Sequence, residues 1–135
     1  MINSNSHRSR ERGQEIVEFA MILPILFTLL MGIFDMGRIV FCDTVLYNAA
    51  REGARYGVVN SADVSVGADI ETTVRAWVVG LDPDNLTITS EVNPGADTVQ
   101  VTIVYEFSPV TPLIADFFNS DPVIITAQST MGIEG

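Results

Sequence analysis

One carboxylate stands a turn inside an otherwise apolar run. From Ile16 to Phe34 the chain reads IVEFAMILPILFTLLMGIF, 19 residues in which only Glu18 and Thr28 are polar. An acid held at the middle of a bilayer costs about 2.5 to 3.5 kcal/mol, and less near the interface. Glu18 therefore calls for a cation beside it. The remaining charges on this stretch are spaced for ion pairs: Asp35 and Arg38 are three residues apart, and Arg51, Glu52 and Arg55 follow. Asp35 with Arg38 can pair as the chain leaves the apolar run, marking its edge. Arg51 and Arg55, at i and i+4, repel each other and need acids nearby, either Glu52 or carboxylates of a neighbouring molecule.

Catalytic chemistry has little to work with. The only histidine is His7, in a polar N-terminal stretch, and the only cysteine is Cys42. No intrachain disulfide, Cys/His metal cage or imidazole-based triad can be assembled from them. Asp63, Asp69, Glu71, Asp82 and Asp84 are the acids an enzyme would use, but none is set in apolar sequence that would shift its pKa. Asp82-Pro83-Asp84-Asn85 departs from a calcium loop, with Leu86 and Thr87 where an acid or Asn and a glycine belong, and reads as a turn. We expect no enzyme, metal, cofactor or small-molecule substrate. The 135 residues carry 7 arginines against 17 acids, a net charge of -10, so the footprint of a nucleic-acid binder is missing. Yet 47% of the residues are apolar and mean hydropathy is +0.32. The apolar residues are concentrated near the N-terminus.

The elements that position these groups follow from pattern. Residues 1–13 form a short polar tail with Arg8, Arg10 and Arg12 and no fold signal. Residues 16–34 are long enough to span a bilayer, and the arginines before them place the N-terminus inside and the acidic remainder outside. Helix formers continue without proline to about Val59, so one helix of residues 14–59 is expected, with a kink or loosened turn at Pro24. Ala49, Gly53 and Gly57 stack at i, i+4 and i+8 as a smooth stripe, suited either to the protein's own head or to another subunit. After a loop at 60–66, Ile70, Val74, Trp77, Val78 and Leu81 predict an amphipathic helix over 67–79. Runs at 86–92, 98–107 and 123–131 predict strands, with a turn at Asn93-Pro94-Gly95 and a helical turn at 113–118. Trp77, Phe117 and Phe118 read as core, and Cys42 as a packed thiol. The fold class is α+β: a long N-terminal transmembrane helix, then a head of residues 60–135 with one amphipathic helix and a three- to four-stranded antiparallel sheet.

The junction Arg12-Gly13-Gln14-Glu15-Ile16-Val17-Glu18-Phe19 resembles the processing site of type IV prepilins. There a membrane-embedded peptidase cuts after the glycine, and a glutamate is fifth in the mature chain. With Gln14 as residue one, Glu18 is fifth, and the resemblance implies that Glu18 neutralises the new N-terminal amine within or between subunits. Adding Gly32-Ile33-Phe34-Asp35-Met36-Gly37-Arg38 and Ala49-Ala50-Arg51-Glu52-Gly53-Ala54-Arg55, the order is similar to the TadE-like family, minor pilins or pseudopilins of the tight-adherence (Tad/Flp) pilus. Asp35 stands where that family more often has glutamate. The resemblance covers about Gly13 to Gly57. It implies a pilin-like subunit of the cytoplasmic membrane, with prepilin peptidase, other pilin subunits and Tad inner-membrane assembly proteins as partners, and adhesion through the pilus as the outcome. The competing expectation is a signal-anchor that stays uncut and tethers an outer binding module.

Overall fold

A computed structural model describes residues 5–60, 66–93, 95–111 and 122–133, with side chains from Gly13 onward. Helix α1 runs over Asn5–Val59 and helix α2 over Val66–Trp77. Strands β1 (Leu86–Asn93), β2 (Thr98–Phe107) and β3 (Val123–Gly132) follow. The fold class is the expected α+β, with three strands.

Helix α1 begins nine residues before Gln14, so the tail that carries no fold signal is helical from Asn5. No proline interrupts it, and Arg8, Arg10, Glu11 and Arg12 are good helix formers, so the helix propagates backward from the apolar run. At 55 residues it is about 82 Å long. Pro24 lies inside it without ending it. One turn later the Thr28 hydroxyl donates to the Pro24 carbonyl at 2.9 Å, the local bond that Ser and Thr make within helices.

Helix α2 carries Asp69 in its first turn and Arg75 in its last, matching the helix dipole. It stops at Trp77, two residues earlier than the pattern predicts, and Gly80 follows at φ +83°, a conformation open to glycine. Asp82 then caps a single 3-10 turn at Pro83–Asn85 by accepting the Asp84 N–H at 3.1 Å.

The strands pair antiparallel in the order β1-β2-β3. Leu86 faces Tyr105 and Val92 faces Val99, while Val99 faces Met131 and Phe107 faces Val123. Alternation is kept throughout: Val99, Val101, Ile103, Tyr105 and Phe107 turn to one face and are buried, leaving Thr and Glu side chains outside. The β1–β2 turn is closed by Asn93, whose side-chain oxygen accepts the Gly95 N–H at 3.1 Å and whose carbonyl accepts the Ala96 N–H at 3.3 Å.

The inner face of the sheet is covered by the second half of α1 and by α2. Strand β2 descends along α1 in the opposite direction. Gly57 lies against Val99, Gly53 against Val101, Arg38 over Phe107, and Asp35 against Thr111. The glycines are there for close approach. A Cβ at Gly53 would sit 2.5 Å from Val74 Cγ2, and one at Gly57 would sit 2.7 Å from Val99 Cγ1 and 2.8 Å from Ile70 Cδ1. The stripe of Ala49, Gly53 and Gly57 thus packs on the protein's own head.

Trp77 is a correction: it is 53% exposed and outside the core. Val66, Ile70 and Val74 fill the seam that the small residues of α1 leave, and Val78 packs next to it. An indole has no room there and stays at the open side of the α1–α2 groove. The loop expected at 60–66 falls largely on 61–65, which lie outside the described residues, as do Asp63, Pro94, the helical turn at 113–118, Phe117 and Phe118.

Candidate functional site

The chemistry-bearing residues distribute along α1 in three levels. At the bottom, Gly13 and Gln14 are exposed within the helix, with no other part of the fold within 4 Å of a Cβ built at Gly13. One turn on, Glu18 is also exposed. From Gly13 to Phe34 no side chain of α1 is buried, although Ile16, Phe19, Ile25, Phe27, Leu29 and Phe34 are among them. The most apolar 18-residue window of this helix has a mean hydropathy of 2.4 and none of it is buried. An apolar surface of this size, all round a helix, is a surface for lipid or for other helices.

The middle level is Asp35. Its side chain is 2% exposed, and it accepts from two sides: the backbone N–H of Thr111 at 2.7 Å and Nη1 of Arg38 at 3.1 Å. The sequence pairs Asp35 with Arg38 correctly but gives no sign of Thr111, 76 residues away. Arg38 in turn lies over the Phe107 ring, its guanidinium carbon 4.8 Å from the ring centroid, a cation–π contact at the foot of β2. The carboxylate therefore ties the end of the β2 segment to the helix, and the guanidinium covers that tie. Cys42, nearly two turns above, is packed into the core. Burial pushes its thiol pKa up, and the nearby Arg38 charge acts the other way without offsetting it. It is an unreactive packing residue.

The upper level is the outer side of α1. Arg55 reaches Glu52 at 2.9 Å. Among the described residues no carboxylate lies within 4 Å of Arg51. Arg51 and Trp77 line one shallow recess of about 280 Å³ with Val45, Asn48 and Glu52; Arg55, Tyr56 and Trp77 line an adjoining one of about 340 Å³. No cluster of three His, Cys, Asp or Glu able to hold a metal forms among the described residues.

The charged and junction residues that α1 contributes to the three levels, from Gly13 to Arg55, fall within one stretch. Residues 13–55 match the family model of TadE-like protein. The TadE-like segment thus takes in the bare apolar stem, the Asp35 tie and the glycine stripe up to Gly53, and ends before α2 and the sheet begin. Searches among curated proteins and among solved structures match nothing. The apolar helix inside this stretch fits a membrane-anchored protein.

Proposed function

We propose that the chain is a minor pilin or pseudopilin of a Tad/Flp-type pilus. In this reading residues 16–34 hold it in the cytoplasmic membrane as a single pass, N-in and C-out. Prepilin peptidase removes residues 1–13 by cutting between Gly13 and Gln14. The assembly proteins then draw the stem out of the bilayer into contact with other pilin helices. The observation that carries the reading is the coincidence of the TadE-like match with a stem that buries nothing against its own head.

The physical logic follows from what surrounds the stem. Lipid already covers its apolar side chains, so exchanging lipid for neighbouring helices gains little from the hydrophobic effect. Close packing and polar pairing must supply the preference. Glu18 is the group that gains most, because the amine freed at Gln14 is one turn away along the helix and a neighbour's amine can approach from outside. Gly13, the residue least suited to a helix interior after proline, makes the cleavage point a weak point in α1.

N-terminal sequencing and intact mass of the mature protein, from membranes and from the sheared surface fraction, test this directly. A start at Gln14 with the protein present in the sheared fraction is expected. A start at Met1 would leave an uncut anchor bearing an outer binding module as the better account. Glu18→Ala should insert into membranes as wild type does but enter sheared pili at a much lower level; incorporation at the wild-type level would defeat the pairing argument.

A further inference from the structure

The head does not stop at a neutral distance above the span. Its lowest described point is the corner after β2, and Asp35 draws that corner onto α1 through the Thr111 N–H. Asp35 is 21 residues from Gln14, about 32 Å along the helix, close to the roughly 30 Å of a hydrocarbon core. Beside Thr111, Val110 is 66% exposed. Six residues higher, about 9 Å, Phe41 lies next to Gly80, 3.7 Å from a Cβ built there, and Val79 beside that glycine is exposed. Met36 and Val40 are exposed within the same interval. The apolar surface of the stem thus continues onto the head over a band of about 9 Å, which covers a headgroup layer of about 5 to 7 Å per leaflet beyond the hydrocarbon and reaches slightly past it.

We infer that this rim is a membrane-contact surface, seated in the headgroup layer of the outer leaflet, with Asp35 as the positioning residue that holds Val110 there. The inference rests on the membrane-anchored reading of the stem. Its occupant is lipid because the rim is continuous with the span and lies at the level where the span leaves the bilayer. Charge narrows the lipid further. Residues 60–135 carry eleven acids and one arginine, and Asp43, Asp82 and Asp84 near the rim are exposed. A zwitterionic surface accepts them, whereas an anionic one repels them. Arg38, half exposed beside the corner, can reach a phosphate oxygen from where it stands.

The test uses the full chain in phosphatidylcholine vesicles, at less than one molecule per vesicle on average. In a Trp77→Phe background the chain has no tryptophan, so Val110→Trp places a single indole at the corner. Loss of quenching by aqueous iodide, together with strong quenching by a nitroxide at the headgroup or upper acyl chain, is expected. Free quenching by iodide and none by the nitroxide would overturn the inference. Phe27→Trp in the same background separates the two layers of the argument. If the Phe27→Trp indole is quenched by deep nitroxides while the Val110→Trp indole is not, the rim fails and the span stands; if neither is, the span itself fails. Iodide protection that appears without nitroxide quenching, and only at high protein density, assigns the rim to a second copy and overturns the lipid assignment. Asp35→Ala added to Val110→Trp should restore iodide quenching, and Asp35→Glu should keep protection. Unchanged protection in Asp35→Ala would remove Asp35 from the positioning role. Where Asp35→Ala unfolds the head, the depth of the Val110→Trp indole decides the inference by itself.

Discussion

Leu29 and Leu46 sit on the same helix, yet Leu29 is 59% exposed and Leu46 is completely buried. The two halves of α1 are equally helical and both apolar in part, and they differ in how side-chain size is arranged. Below Asp35, large residues such as Ile22, Ile25, Phe27 and Leu29 are distributed all round, so no face is marked for a particular neighbour. Above it, Ala49, Ala50, Gly53, Ala54 and Gly57 gather on one side and Arg51, Glu52 and Arg55 on the other. The small side admits α2 and the sheet to within van der Waals contact, and the charged side stays in water. One half leaves its faces open, and the other is packed against its own head.

The contrast is broken most severely by making the upper half resemble the lower. Gly53→Leu forces a branched side chain into the space of Val74, Ile70 and Val101, and overpacking on that scale should cost more than about 3 kcal/mol. The head should lose its cooperative urea transition in micelles. Gly32→Leu, with open space around Gly32, should leave that transition in place. Equal effects from the two substitutions would mean that the halves do not differ in the way their contacts indicate.

Asp35 marks the boundary, and its removal should have an intermediate effect. Asp35→Ala leaves the Thr111 N–H without its acceptor in a buried place, a loss of about 1 to 3 kcal/mol. The urea midpoint of the head should fall accordingly. Glu18→Ala, on the bare stem, should not move it. A head that is indifferent to Asp35→Ala would show that the corner after β2 is held by packing alone.

How far the sequence reveals this depends on the range of the interaction. Strand periodicity is local, and the pattern places β2 at its observed ends and β1 and β3 within a residue of theirs. Cys42 reads as packed and is packed. The Asp35–Arg38 pair is set by helix spacing alone and is present, and of the two partners left open for Arg55 the structure shows Glu52. The choice between the two partners of the glycine stripe is not local, because smoothness says that something approaches closely and not which surface does. Thr111 is invisible for the same reason: a backbone N–H carries no side-chain signature, and only the descent of β2 along α1 brings it to Asp35. Trp77 misleads because helical periodicity ranks positions by angle, whereas the width of the seam decides which residue fits.

The smallest expected effect concerns the charged side of the upper half. Arg55 and Glu52 form their pair largely in solvent, where such contacts contribute about 0.3 kcal/mol and fade at high salt. Arg55→Gln should therefore shift the urea midpoint of the head slightly at low ionic strength and not at all in 1 M salt. Arg51, which has no carboxylate within 4 Å among the described residues, should give no shift when changed to Gln at either salt concentration. The two arginines separate if assembly is then measured. Should Arg51→Gln lower the amount of protein in sheared pili while leaving the head's midpoint untouched, its charge is satisfied by a neighbour's acid, and the upper half of α1 keeps its own head on one side while meeting another subunit on the other. Wild-type incorporation would make Arg51 a solvated charge and leave the bare stem as the only part of the helix that changes neighbours.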